Sequence, residues 1–204
     1  QLIQDGEKYH LKKSQHNILE RRPHLSANIT GIGDISTMSE ELKQELSMAS
    51  GLTPAFITAK KSSDVTDWYY YFSLSRFVSL YPWISHHNWQ YRDALLTNPN
   101  IKKIIDTSGS KDAYFWSIPY IDTGGKGLLT SVAKKVIRDD KLVGVVIADL
   151  NLARLNDSLN AIKKPEQGYL LIDRNNILYI HKNSSGEPIK QYMLWQQVVP
   201  DGLK

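Results

Sequence analysis

Cysteine is absent from these 204 residues. That excludes a disulfide scaffold, thiolate metal sites and cysteine nucleophiles, and it leaves the redox compartment open. Long apolar runs are missing as well. The longest, residues 142–148, is far short of the roughly 20 residues that cross a bilayer. No signal peptide opens the chain at Gln1, so the sequence is expected to be a soluble piece of something longer. Neither GxSxG nor HExxH occurs, and catalysis is not expected. The stretch DTGGKGLLTS fails the phosphate-loop pattern, because Tyr120 stands where its first glycine is needed and Gly127 where Ser or Thr is needed. His86 and His87 are adjacent, and neighbouring side chains point apart, so no shared metal ion and no cofactor is expected.

An excess of one charge is nearly missing. Lys and Arg total 25 against 21 Asp and Glu, a net charge of +4. The basic residues fall in scattered pairs, Lys60-Lys61, Lys102-Lys103, Lys134-Lys135 and Lys163-Lys164. Such pairs at turns and strand edges suit solvated edge protection better than a phosphate track.

What is present is an ordered series of elements. Residues 1–22 read as a helix that Pro23 ends, with a loose apolar stripe through Leu2, Ile3, Tyr9, Leu11 and Ile18; its face packs on its own domain or forms a dimer seam. A second helix covers SEELKQELSMAS, with Thr37 and Glu40 at capping-box spacing and Gly51 closing it. Residues 52–60 and 68–83 read as strands. The second is dense in aromatics, from Trp68 and Tyr70 to Tyr81 and Trp83, which suits a buried central strand or a stacking platform for single-stranded nucleic acid. Residues 89–96 read as a short helix stopped by Asn98-Pro99.

Residues 114–151 hold the most information. They read as a three-strand meander, 114–121, 128–137 and 142–150, with a Gly-rich turn and a charged turn between. Period-2 alternation places Tyr114, Trp116, Ile118 and Tyr120 on one face, with Asp122 just beyond. The last strand is apolar on both faces until Asp149, which marks a central strand covered on both sides. A helix over 152–161 follows, with Asn151 as its N-cap. After the linker Lys163-Lys164-Pro165, residues 168–182 read as a new hairpin turned at Asn175-Asn176. The expected class is α+β, an antiparallel sheet flanked by helices. Three parts are expected: an N-terminal helical region (1–50), a sheet module (51–161) and the incomplete start of another module (162–204).

Those residues carry a resemblance. Pro119-Tyr120-Ile121-Asp122, Thr123-Gly124, Thr130-Ser131 and the run from Gly144 to Leu150 resemble the end of the membrane-distal module of extracytoplasmic double Cache (PAS-like) sensors. Residues 168–178 resemble the start of the membrane-proximal module of that family. The aromatic stretch WYYYFSLSRFVSLYPW is similar to sensor regions of bacterial diguanylate cyclases, and histidine kinases and chemoreceptors carry similar modules. The resemblance implies a periplasmic, non-catalytic sensing domain of an inner-membrane signalling protein, a homodimer through its N-terminal helix. It implies a small polar ligand and no nucleic acid. The ligand site it implies comprises Asp149, Tyr120, Trp116, Asp122, Trp89 and His87. The family's amino-acid-binding branch has Arg and Tyr where this chain has His87 and Gln90, and an imidazole does not reproduce a guanidinium fork. A cation, an amine or a neutral solute fits the remainder better. The alternatives from other classes are a basic single-strand nucleic-acid binder and a ligand-free dimerisation domain.

Overall fold

The computed structural model describes residues 1–11, 21–107, 113–161, 170–172, 177–181 and 193–194. Its start differs from the helix expected over 1–22. Leu2–Asp5 (β1) and Lys8–Leu11 (β2) form an antiparallel hairpin instead. Gly6 makes this turn possible with a φ of +59°, and Tyr9 is drawn into the core, 1% exposed. The helix former count of this segment is outweighed by the turn glycine and by pairing to Asn28–Ile32 (β3). Of the apolar stripe expected on that helix, Leu2, Ile3, Tyr9 and Leu11 lie on the hairpin strands instead, while Ile18, with residues 12–20, lies outside the described residues.

Glu40–Gly51 (α1) is the second helix, but Ser39 rather than Thr37 caps it, its Oγ accepting from the Leu42 N–H at 3.2 Å. The strand expected over 52–60 is instead a helix, Thr53–Ser62 (α2). Pro54 sits in its first turn and Lys60 and Lys61 in its last, where each suits a helix, and only Phe56 among its residues is fully buried. The aromatic run is two strands, Thr66–Ser73 (β4) and Phe77–Tyr81 (β5), folded back at Arg76 with a φ of +66°. Residues 89–96 contain a single 3-10 turn, Asp93–Leu95. Asn98-Pro99 starts a helix rather than ending one: Pro99–Asp106 (α3) is capped by Asn98, whose Oδ1 accepts from the N–H groups of Asn100 and Ile101.

The meander appears as Tyr114–Trp116 (β6), Tyr120–Ile121 (β7), Leu128–Arg138 (β8) and Lys141–Asn151 (β9), followed by Leu152–Asn160 (α4). The main sheet runs β1-β2-β3-β5-β4-β9-β8-β6, with β7 also on β8, and all its pairs are antiparallel. β9 is central, as its apolar faces require. The first 32 residues thus contribute three strands to the same sheet as residues 66–151. Leu170–Ile172, Ile177–His181 and Met193–Leu194 (β10 to β12) make a separate three-stranded sheet. The turn residues Asn175 and Asn176 and the linker 163–165 fall outside the described residues.

The two faces of the main sheet are dressed differently. On one, α1 and α2 pack Leu46, Ala49 and Phe56 against Tyr9, Ile29, Tyr71, Phe77 and Tyr81. Glu45 of α1 is 2% exposed there, yet three hydroxyls satisfy it: Tyr71 at 2.7 Å, Ser73 at 2.6 Å and Ser75 at 2.9 Å. Gly144 lets Tyr71 cross β9, since a Cβ at that position would lie 2.5 Å from the tyrosine oxygen. On the other face, Phe72, Val78, Leu80, Ala133, Val145 and Ile147 form a cluster beneath Ile101 and Ile104 of α3 and Tyr91 of the preceding loop.

Candidate functional site

Register decides which side chains meet on the α3 face. In an antiparallel pair, residues directly opposite point to the same side. Asp149 of β9 lies opposite Trp68 of β4 on one side and Ser131 of β8 on the other. Ile147 lies opposite Tyr70 and Ala133, and Tyr70 opposite Leu80. Trp68, Tyr70 and Phe72 therefore share the face of Asp149, whereas Tyr69 and Tyr71 point to α1 and α2.

Above this wall lies a cavity of about 420 Å³, within the range of small-molecule sites. The rest of its wall comprises Ile84, Trp89 and Leu95 of the loop, Asn98 to Ile101 and Ile104 around α3, and Ile118 with Tyr120 to Gly124 at and beside β7. The sheet itself fixes the loop. Asn28 Nδ2 donates to the Ile84 carbonyl at 2.7 Å, and the Tyr91 N–H donates to Thr30 Oγ1 at 2.9 Å. The Asn88 and Trp89 N–H groups both donate to the Ser85 carbonyl, which turns Trp89 back towards the cavity.

Asp149 is 5% exposed and anchors a hydroxyl chain. Ser131 Oγ donates to its Oδ1 at 2.6 Å, and Tyr70 donates to the same oxygen at 3.3 Å. The Ser131 proton being committed, the Tyr120 hydroxyl, 2.9 Å away, donates to Ser131 Oγ. Burial pushes the Asp149 carboxyl up to about 7, the hydroxyl donors offset this in part, and nearby Asp122 adds to the rise. Burial and the charge on Asp149 likewise push the Tyr70 and Tyr120 phenols well up, so both stay protonated donors. Asp122 stands at the start of the Gly-rich turn. Its Oδ2 accepts from the Lys126 N–H at 3.0 Å and from Trp68 Nε1 at 3.4 Å. Lys126 Nζ in turn lies 5.3 Å from the Trp68 ring centroid.

Of the six residues expected at the site, Asp149, Tyr120, Asp122 and Trp89 line this one cavity. Trp116 does not. It lies opposite Val132, while Tyr120 lies opposite Leu129, so three intervening residues on one side face two on the other. That extra residue reverses the alternation and sends Trp116 outward, 53% exposed, while Ser117 turns in to the Thr130 and Ser131 backbone region. His87 is also outside the lining. It is exposed in the turn after Ser85, its ring tilted against that of His86 with 3.9 Å between centroids. Trp68, Tyr70, Ser131 and the N-terminal turn of α3 were not among the expected site residues. Period-2 alternation through Trp68, Tyr70 and Phe72 carried the signal for the first two, and the Thr130-Ser131 motif for the third. Among the described residues, no group of three or more His, Asp or Glu is placed to hold a metal ion. No helix among them is long and apolar enough to cross a membrane.

Several known proteins are similar to parts of this chain. The methyl-accepting chemotaxis protein McpC of Bacillus subtilis is 25% identical over 91 residues, 44% of this chain and 14% of that protein. The ligand-binding domain of the Pseudomonas fluorescens chemoreceptor CtaA, solved with L-serine, is 20% identical, with 58% of this chain and 49% of that one covered and a TM-score of 0.44. The sensory domain of the Campylobacter jejuni chemoreceptor Tlp3, solved with isoleucine, is 17% identical, with 85% and 64% covered and a TM-score of 0.49. Residues 37–157, more than half of the chain, match the family described as methyl-accepting chemotaxis protein-like, first PDC sensor domain. The chain therefore belongs to this family of PDC (Cache-type) sensor domains.

Proposed function

We propose that this domain senses a small molecule outside the cytoplasm and that the ligand sits in the α3-face cavity, held at Asp149. The observation that carries the reading is a buried carboxylate, served by a Tyr120–Ser131 hydroxyl chain and by Tyr70, on the wall of a 420 Å³ aromatic cavity. A buried carboxylate is costly unless it meets donors, and a ligand adds one. Asp122, Tyr120 and Trp89 complete the ligand contacts in this reading, and Trp68 and Tyr70 join them.

The output we assign is that of a chemotaxis receptor. The matched family and McpC both point that way, and neither points to the diguanylate cyclase that the aromatic stretch resembles. Membrane anchoring, a periplasmic location and homodimerisation belong to the same proposal for the whole protein. So does the division of the chain, with the main sheet as the membrane-distal module and residues 162–204 opening the membrane-proximal one. Ligand binding signals only if the two receptor states differ in affinity.

A thermal-shift screen against amino acids, amines and polar metabolites tests the site. A ligand at 100 times its Kd raises stability by about 2.7 kcal/mol. Asp149→Asn, which mimics the protonated carboxyl in shape, is expected to keep the apo melting temperature and lose the shift. Tyr120→Ala is expected to weaken the shift less. Full retention of the shift in Asp149→Asn would place the ligand elsewhere.

A further inference from the structure

The main sheet ends on an unguarded strand. β6 is its edge, and among the described residues nothing pairs with the outer side of it. Its sequence, Tyr-Phe-Trp, holds neither a charge nor a proline, the usual devices that keep an edge from pairing. Phe115 packs inward against the α3-face cluster, while Tyr114 and Trp116 stand 67% and 53% exposed. Both belong to the opposite face. Trp116 lies opposite Val132, Val132 opposite Ala148, and Ala148 opposite Tyr69, which packs near Phe56 of α2.

Register also gives the direction of the backbone groups. The Ser117 N–H donates to the Ser131 carbonyl at 2.9 Å, continuing the pairing of Trp116 with Val132. Bonding towards one neighbour alternates along an antiparallel strand, so Phe115 likewise turns its N–H and C=O to β8. Tyr114 and Trp116 turn theirs outward. Such an edge is complementary to itself. Laid antiparallel about a two-fold axis at Phe115, Tyr114 falls opposite Trp116 of the partner subunit, and each such pair exchanges both N–H···O bonds. The same register sets Tyr and Trp rings against each other and opposes no like charges within the strand. Lys134 flanks them, its Nζ 5.4 Å from the Tyr114 ring centroid.

Building on the reading of the whole protein as a homodimer, we propose that two copies join through their β6 edges, each nine-stranded sheet continuing into the other. This contact takes the place of the seam expected on an N-terminal helix, where Leu2–Asp5 and Lys8–Leu11 are strands. Two aromatic rings from each copy bury at most roughly 600–1,000 Å² in total, below the roughly 1,200–2,000 Å² of a stable interface. The contact is therefore weak between free domains and strengthened where the chains are held side by side.

The chain has no cysteine, so single substitutions read the register directly. Tyr114→Cys and Trp116→Cys proteins, mixed and mildly oxidised, bring two thiols together on residues about 5.5 Å apart, within disulfide reach. Either protein alone sets its thiols diagonally, about 7–8 Å apart between Cα atoms. The mixture is expected to crosslink at least about fivefold faster than either protein alone. Met48→Cys, on α1 and 38% exposed, is the control and is expected to stay as slow as they are. In sedimentation equilibrium the parent and Leu25→Lys are expected to dimerise alike below about 1 mM, and Trp116→Lys at least about tenfold more weakly. Circular dichroism checks that each variant keeps the parent fold. Crosslinking no faster in the mixture, or a dimer indifferent to Trp116→Lys, would overturn this surface and leave the homodimer reading standing. A parent still monomeric at about 1 mM would overturn the surface and take the homodimer contact out of this domain.

Discussion

At the scale of single residues, Asp149 carries the most consequence. Its carboxyl is raised from 3.8 to about 7 in the fold, chiefly by burial. The sign follows from proton counts. Between those two values the folded protein holds a proton on Asp149 that the unfolded chain has released, so rising pH favours unfolding. The stabilisation is present at low pH and lost as pH climbs through about 7, with a slope of at most about 1.4 kcal/mol per pH unit. Other carboxyls such as Asp34 and Asp93 are held below their usual range and act oppositely in acid, so the comparison must be with Asp149→Asn. The stability difference between that variant and the parent, from urea melts at pH 5 to 8, is expected to shift towards the variant as pH rises. A constant difference across that range would mean Asp149 is ionised throughout. A bound cation reverses the effect, because it adds to the Tyr70, Ser131 and Tyr120 donors in favouring the ionised carboxylate against burial and the nearby Asp122 charge; the affinity for such a ligand is then expected to fall on acidification below about 7. Glu45 on the opposite face has only a structural part. Glu45→Ala strands the hydroxyls of Tyr71, Ser73 and Ser75 and is expected to cost about 1–3 kcal/mol in denaturant melts without changing ligand affinity.

At the scale of elements, Asn151 joins three of them. Its Oδ1 caps α4 by accepting from the Ala153 and Arg154 N–H groups, at 3.0 and 3.2 Å. Its Nδ2 donates to Asp67 of β4 at 2.7 Å and to the Lys126 carbonyl of the Gly-rich turn at 2.9 Å, and Arg154 pairs with Asp67 at 3.0 Å. The turn that carries Asp122 is thereby tied to the helix that leaves the sheet. Asn151→Ala is expected to cost about 0.5–2 kcal/mol from the cap alone. Asn151→Asp keeps the cap but turns an oxygen towards the Asp67 carboxylate, so it should also destabilise at pH 7. Wild-type stability in the aspartate variant would show that the donor side of Asn151 contributes nothing.

Elements also show what was legible in the sequence. The meander, the Asn151 cap and α1 were readable because alternation, turn residues and caps agreed there. The hairpin of β1 and β2 was not, because its four-residue strands leave too little pattern to outweigh helix-forming neighbours. Thr53–Ser62 is a helix where a strand was expected, with Pro54 in its first turn, and Asn98-Pro99, expected to stop a helix, starts one. At the site, Asp149, Tyr120, Asp122 and Trp89 followed from alternation and the family motifs. Trp116 failed because a single extra residue between paired strands has no signature in the alternation itself. Tyr70 and Ser131 needed the pairing register, which only the fold supplies.

At the scale of the whole molecule, the basic charge and the aromatic strand raised the prospect of nucleic-acid binding. The fold argues against it: β4 is an interior strand of the sheet, its Trp68, Tyr70 and Phe72 face the cavity, and its Tyr69 and Tyr71 face the helices. Stacking on single strands needs rings open to solvent along a basic groove. No oligonucleotide binding is expected in fluorescence anisotropy at physiological salt, and micromolar, salt-sensitive binding would contradict the sensor reading. The sheet holds the cavity on one side and α1 and α2 on the other, and in the proposed reading a change at Asp149 passes along β9 to Asn151 and α4. The claim on which this depends is that the ligand occupies the α3-face cavity. A crystal structure with the compound that gives the largest thermal shift tests it most directly. A donor atom of the ligand is predicted within about 2.7–3.2 Å of an Asp149 carboxylate oxygen, with the rest of it inside the α3-face cavity. Ligand density at any other place, with this cavity empty, would contradict it.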